Sequence, residues 1–328
     1  MTTGRPVTLL SGFLGSGKTT LLRRYLQEHG RSGISLVINE FGAVGVDHHL
    51  VRHVEEEIVL IQGGCVCCSR REDLGRTFRE LLDAEDSGQT EPIGQVIVET
   101  SGLADPVPVL FTLATDPVLK HHFAPATVVV TLDAFNAAAQ IDHQPEVRKQ
   151  IVAADRIVVT KTDLATQHAV AQCLIRVRQL NPACDISLSC QGDGYAALEA
   201  GEGTDHALDL EASASSPHPD VQSTAIGFSA PLEWPVFSVW LGMLLQARGP
   251  DVLRIKGLLD VGDAGPVALN VAQHVIHPPE HLAQWPESVA RPYLVFITRA
   301  IDPDRIAHSL QTFQRASGRP DLTVFGLS

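Results

Sequence analysis

A short apolar run, Val7-Thr8-Leu9-Leu10, leads into Gly12-Phe13-Leu14-Gly15-Ser16-Gly17-Lys18-Thr19, and the stretch from Thr19 to Gln27 carries apolar residues at helical spacing. Strand, glycine loop and helix in that order leave few folds open. The glycines let the backbone turn so that its N–H groups surround one point, and the helix start adds its dipole there. A chain built on such a turn buries the strand in a sheet and packs the helix on its face, which selects an α/β architecture. The match to G-x-x-x-x-G-K-[ST] is complete. Gly12, Gly15, Ser16, Gly17, Lys18, Thr19 and the adjoining Thr20 are therefore expected to hold nucleotide phosphates, with Lys18 at the terminal phosphates and the Thr19 hydroxyl on Mg2+.

The rest of the first 200 residues fits this architecture. Apolar runs at 34–38, 57–61, 95–98, 126–132 and 156–159 alternate with helix-like stretches at 71–83, 145–153 and 169–180. Near-continuous Val/Ile runs in such alternation predict a mostly parallel sheet under helices on both faces, with ligands at the carboxyl ends of the strands. From about Gly201 to Gln222 the composition turns to Gly, Ser, Ala, Asp, Pro and His without periodicity. That reads as an exposed linker between a nucleotide domain, 1–200, and a smaller domain, 223–328. In the latter, strands at 224–228, 252–259, 267–275 and 292–298 interleave with helices at 234–246 and 303–315. The pattern predicts an α+β sandwich of ferredoxin-like type.

Two further motifs complete a nucleotide site. Val96-Ile97-Val98-Glu99-Thr100-Ser101-Gly102 is a buried strand that delivers a carboxylate at its end. Glu99 there is expected to serve the Mg2+ and hydrolysis chemistry, and the Gly102 amide to meet the γ-phosphate. After the 156–159 run comes Thr160-Lys161-Thr162-Asp163. In an N-K-x-D tetrad the Asp accepts from the two guanine N–H donors that adenine lacks, and the Lys stem covers the base. Thr160 replaces the Asn, which removes an amide and loosens base discrimination. The expected nucleotide is GTP, with Thr160, Lys161 and Asp163 on its base.

The second chemistry is sulfur. Gly63-Gly64-Cys65-Val66-Cys67-Cys68 places three thiols within four residues, too close for an ordinary disulfide framework. As thiolates they are soft donors, and Glu40, His48, His49, water or a residue of another protein could complete a tetrahedron around Zn2+. An incomplete set suits transfer; a structural zinc knuckle and a redox trio are the alternatives. Cys173, Cys184 and Cys190 have no partner spacing and read as packing residues, though Cys190 follows a strand beside which the base would lie. His274, His277 and His281 form H-x2-H-P-P-x-H, which Pro278 and Pro279 keep off a single helix face, and they read as surface histidines.

Charge narrows the partners. Thirty-eight acidic against 25 basic residues leave −13, which disfavours a nucleic-acid backbone or an anionic membrane. No apolar run approaches the roughly 18 residues of a membrane span. The cytoplasm is the expected compartment, where the six cysteines stay reduced.

Taken together, the glycine loop, Asn39-Glu40-Phe41-Gly42, Gly64-Cys65-Val66-Cys67-Cys68, Glu99-Thr100-Ser101-Gly102 and Thr160-Lys161-Thr162-Asp163 resemble the CobW-type metallochaperone GTPases. Val46-Asp47-His48, Arg254-Ile255-Lys256-Gly257 and the later Val-Phe-Ile strand are similar to that family as well. The resemblance implies a GTP hydrolase that loads zinc, or cobalt, into client metalloproteins. It also implies a metal site made of Cys65, Cys67 and Cys68 with the Asn-Glu-Phe-Gly segment, Glu40 included, beside the switch regions. Two departures stand out. Ala43 occupies the position where many relatives have a second Glu, and the linker has only His206 and His218 where some have a histidine-rich tract.

The expected mechanism follows: GTP orders the 39–50 segment against the cysteines, and hydrolysis loosens one ligand while a client takes the others. Rival readings are a small-molecule kinase with structural zinc, a metal sensor or buffer, and an activator dedicated to one metalloenzyme. A homodimer is left open.

Overall fold

The computed structural model describes residues 4–30, 32–39, 58–60, 71–199, 221–262, 265–273, 275–286, 289, 291–318 and 322–327. It divides into two bodies, Met1–Cys173 with Ile186–Glu202, and Leu174–Asp185 with Gly203–Ser328. The expected linker falls almost wholly outside the described residues.

The first body is built on β1 (Val7–Gly12), β2 (Ile34–Asn39), β3 (Ile58–Leu60), β4 (Gln95–Thr100), β5 (Thr127–Asp133) and β6 (Arg156–Thr160). These are parallel in the order β3-β2-β4-β1-β5-β6, with β7 (Asp185–Leu188) next to β6 at the edge. Every residue of β1 and β4 is buried, as strands covered on both faces require. The covering helices are α1 (Lys18–His29), α2 (Arg71–Asp86), α3 (Val107–Thr115), α4 (Leu119–His122), α5 (Ala137–His143), α6 (Pro145–Ala153) and α7 (Gln167–Leu180). The boundary between the two bodies passes through α7. Leu21, Leu22 and Tyr25 of α1 close over Leu10, Ile97, Val129 and Val158, and Leu198 from a 3-10 turn at Asp193–Leu198 joins them. Helices α3, α4 and α5 were not foreseen. Val107-Pro-Val-Leu-Phe-Thr-Leu-Ala-Thr115 is apolar on nearly every side, so no helical period marks it, and α4 and α5 are too short to carry one.

The second body is a curtailed sandwich of one antiparallel sheet and two helices. Its elements are β8 (Gln222–Phe228), α8 (Trp234–Arg248), β9 (Val252–Asp260), β10 (Pro266–Ala272), β11 (Val275–Ile276), β12 (Glu280–His281), β13 (Tyr293–Thr298), α9 (Pro303–Ala316) and β14 (Val324–Leu327). The order β9-β13-β8-β14 with α8 and α9 as crossovers is the split β-α-β-β-α-β arrangement, and β10 to β12 extend it beyond β9. Phe237, Trp240 and Leu241 of α8 and Ile306 and Leu310 of α9 pack on Ile255, Leu294 and Phe296 of the sheet. Asp302 caps α9 by accepting from the Asp304 amide, and Pro303 opens its first turn. The histidine motif divides here. His277 is buried, against the surface reading, and its backbone N–H donates to the Asn270 carbonyl at 3.0 Å; His281 is exposed on β12; His274 lies outside the described residues.

No helix among the described residues is long and apolar enough to cross a membrane.

Candidate functional site

Four adjacent strands, β4, β1, β5 and β6, carry the motifs to one edge. Glu99 is next to last in β4, Gly12 ends β1, Asp133 ends β5 and Thr160 ends β6. Their register sets Gly12 opposite Thr131 and Asp133 opposite Thr160. Parallel strands make this inevitable, since all of them finish on the same side.

The phosphate loop is held by contacts only glycine permits. Gly12 has φ +138°, and a Cβ there would lie 2.3 Å from Thr131 Oγ1 and 2.5 Å from the Thr131 carbonyl. The Ser16 and Thr131 hydroxyls share a 2.6 Å hydrogen bond that fixes the loop to β5. The Lys18 ammonium folds across its own loop, donating to the carbonyls of Gly12 at 2.8 Å and Phe13 at 3.3 Å. Thr19 Oγ1 donates to Glu99 Oε1 at 2.9 Å. A hydroxyl and a carboxylate converging at the mouth of a phosphate loop are the hard oxygen donors that Mg2+ prefers, so the set fits that ion. Gly102 is pressed on the same loop: a Cβ on it would meet the Leu14 amide nitrogen at 2.6 Å.

At the end of β6, Thr160 does more than replace an Asn. Its hydroxyl donates to the Ser16 carbonyl at 2.7 Å and also reaches the Leu132 carbonyl at 3.3 Å, so the end of β6 is tied to the phosphate loop. Lys161 takes a left-handed backbone, φ 56°, and its ammonium lies 2.9 Å from Asp133 Oδ2. Asp133 was not singled out from sequence. Its side chain is 3% exposed and accepts also from the Phe135 amide and Asn136 Nδ2, both at 2.9 Å. Burial alone would raise its carboxyl, but the bonds from Lys161, Asn136 and Phe135 outweigh that and hold it below the usual range. The available clue was the one that marked Glu99: an acid closing a Val-rich run.

Thr162 anchors the tetrad to the loop after β7, its hydroxyl donating to the Ser189 carbonyl at 3.0 Å. The next residue, Cys190, corrects the packing expectation. It is exposed, its thiol is hydrogen-bonded to Asp163, and its amide donates to Asp193 Oδ1 at 2.6 Å. Lost solvation and the Asp163 charge push this thiol up. Cys173 and Cys184 are buried, as expected, and burial pushes them up to about 12 and about 11.

Cys65, Cys67, Cys68, Glu40, His48 and His49 lie outside the described residues, and no group of three or more His, Cys, Asp and Glu that could hold a metal occurs among the described ones. The scaffold on either side is described. β2 runs to Asn39, which pairs with Thr100, the residue after Glu99. β3 pairs with β2 through Leu60 and Ile38, so both strands finish at the carboxyl edge where the phosphate loop stands. α2, which begins at Arg71, is tied by an Arg79–Asp116 ion pair to the residue that ends α3 and bonds the Val118 and Leu119 amides.

Comparison with known proteins agrees with this geometry. Residues 6–187 match the family model described as CobW/HypB/UreG, nucleotide-binding domain, and residues 221–314 match the cobalamin synthesis protein cobW C-terminal domain. The chain is 32% identical over 261 residues to the zinc chaperone YjiA of Escherichia coli K12, covering 77% of this chain and 81% of the relative. It is 29% identical over 307 residues to the zinc chaperone CobW of a Sinorhizobium species, covering 80% and 84%. Among solved structures, the Zn(II)-bound YjiA GTPase from E. coli superposes with a TM-score of 0.66 at 25% identity, over 95% of this chain and 99% of that one. With the phosphate loop, the Glu99 strand end and the Lys161 tetrad gathered on one sheet edge, this chain belongs to the CobW/HypB/UreG family of GTPases and carries the cobW C-terminal domain.

Proposed function

We propose that the chain is a GTP-dependent metallochaperone. It holds Zn2+, or Co2+, as cargo on Cys65, Cys67 and Cys68, with Glu40 as a further ligand, and passes it to a client metalloprotein when GTP is hydrolysed. The observation that carries this reading is the pairing of Asn39 with Thr100. It starts the segment containing Glu40 one strand away from Glu99, so a change at the γ-phosphate has a short covalent and hydrogen-bonded route to a metal ligand. The relatives named zinc chaperones, and the Zn(II)-bound YjiA GTPase, support zinc as the cargo.

In this reading the glycine loop with Ser16, Lys18, Thr19 and Thr20 binds the phosphates, and Lys18 exchanges its loop carbonyls for phosphate oxygens. Thr19 and Glu99 would hold Mg2+, which when bound neutralises developing phosphate charge. Gly102 offers its amide to the γ-phosphate, and Glu99 serves the Mg2+ and hydrolysis chemistry. Asp163 accepts from the guanine donors while Lys161, braced by Asp133, covers the ring.

Magnitudes limit what hydrolysis can do. A picomolar metal site corresponds to about 16 kcal/mol, whereas coupling between sites is typically about 1–3 kcal/mol. Hydrolysis alone does not empty such a site into water. The nucleotide loosens one ligand, and the client's own ligands displace the remainder.

The test mixes Zn2+-loaded protein and GTP with a zinc-free recipient enzyme whose activity reports the metal. Transfer that needs both GTP and the three thiols supports the reading. Transfer unaffected by changing Cys65, Cys67 and Cys68 to Ser contradicts it, and retention of metal with GTP hydrolysed would favour a sensor.

A further inference from the structure

Gln150, on α6, is a buried amide whose work is done in another element. The side chain is 1% exposed, and its Nε2 donates at 3.1 Å to two carbonyls of the loop after β4, those of Gly102 and Ala104. The orientation is chemically fixed, because two carbonyls can only accept and only the NH2 end can serve both. The loop is a tight turn, closed by the Ala104 amide donating to the Ser101 carbonyl at 3.1 Å. Its exposed Leu103 therefore stands between two carbonyls gripped by one side chain. The grip has a cost that packing would not demand. Gln150 Oε1 is buried with no hydrogen-bond partner among the described residues, and an apolar side chain of the same shape would fill the site without it.

We infer that Gln150 is the positioning residue that sets the resting place of the Ser101–Ala104 turn and thereby lets the protein tell GTP from GDP. The inference rests on the reading of Gly102 as the γ-phosphate contact. Gly102 already touches Leu14 of the phosphate loop so closely that a Cβ would lie 2.9 Å from the Leu14 Cα, which leaves it almost no room to shift towards the loop. Its freedom is to move away, and the Gln150 grip on its carbonyl opposes that movement. A turn held in place presents its amide to a γ-phosphate without first being ordered. A diphosphate has no group at that point and gains nothing. Gln150 touches neither nucleotide nor metal in this account; it acts through Gly102.

The variant that decides is Gln150→Met, close in volume and without a donor, accompanied by Gln150→Glu, which sets acceptors against the two carbonyls. Affinities for GDP and for a non-hydrolysable GTP analogue, the split of hydrolysis into kcat and KM, and thermal melting are measured on the full chain. The expected result is a GDP affinity within about threefold of the parent and a GTP-analogue affinity lower by about 5- to 150-fold, the range of coupling between sites, with kcat reduced. An equal loss for both nucleotides would make Gln150 merely structural and overturn the inference, as would lowered melting with unchanged binding. If neither variant folds, hydrogen exchange on the parent protein decides: slowing of the 102–104 amides by the GTP analogue but not by GDP supports the inference, and equal slowing overturns it. Failure of the underlying nucleotide reading looks different, since the parent chain would then bind neither nucleotide.

Discussion

Thr19 Oγ1 donates to Glu99 Oε1 at 2.9 Å, joining the phosphate loop to the end of β4 across 80 residues of sequence. This bond places two hard oxygen donors together before any cation arrives. Thr19→Ala is therefore expected to weaken GTP binding in Mg2+ by about 10- to 100-fold, the scale of one charge-assisted contact, and to leave binding in EDTA nearly unchanged. Calorimetry in the two buffers checks it; an equal loss in both would mean that Thr19 serves the loop's shape instead.

In the proposed reading Asp163 supplies a carboxylate where guanine offers two N–H donors, whereas an amide offers one acceptor and one donor. Asp163→Asn is expected to lower affinity for GTP by at least about tenfold and to raise that for xanthosine triphosphate, whose ring presents one donor and one acceptor at the same edge. Competition binding measures the ratio. Unchanged preference would remove Asp163 from the base site.

The Lys161 ammonium, carried on a left-handed backbone, lies 2.9 Å from Asp133 Oδ2, which in the proposed reading braces the stem that covers the base. The Asp133 carboxyl sits below the ordinary 3.8 in the fold, so the ionised form is the stabilised one. That contribution is complete above the ordinary value and is lost as pH falls through the lowered one. Asp133→Asn should therefore destabilise by about 1–3 kcal/mol near neutrality. The difference from the parent should shrink on acidification below about pH 4, read by urea melts at a series of pH values.

The three described cysteines separate by environment. Burial favours the protonated thiol at Cys173 and Cys184, so their contribution is full below 9 and declines as pH rises towards about 12 and about 11. In a chain with Cys65, Cys67 and Cys68 changed to Ser, one thiol, Cys190, should react readily with a disulfide reagent at pH 8, and all three only after unfolding. GTP should quicken Cys190, because in the proposed reading guanine engages the Asp163 carboxylate whose charge pushes this thiol up.

The nucleotide loop was legible because its constraint is on the backbone: Gly12 at φ +138° against Thr131 admits no side chain, and a string of glycines announces that directly. The place of Glu99 was legible because an acid near the end of a buried run, read beside a glycine loop, is expected at the mouth of that loop, and it meets Thr19 there at 2.9 Å. Asp133 is the same kind of residue, yet nothing local says that a lysine 28 positions later will reach back to it. Gln150 was illegible for a deeper reason, since its partners are backbone carbonyls 48 and 46 residues away that any residue could have supplied. Cys190 was misread because exposure is decided by where its loop lies after folding. The split β-α-β-β-α-β order of the second body followed from its strand and helix runs, while β14 has too few residues to declare itself.

The most direct test of the account is a Zn2+ titration of the parent chain with a non-hydrolysable GTP analogue and again with GDP, paired with titration of the analogue with and without Zn2+. Linkage requires the same factor in both directions, and a coupling of the usual size predicts zinc held about 5- to 150-fold more tightly with the triphosphate. Equal zinc affinity in the two nucleotide states would contradict the claim that the γ-phosphate and the cysteine site act on one another.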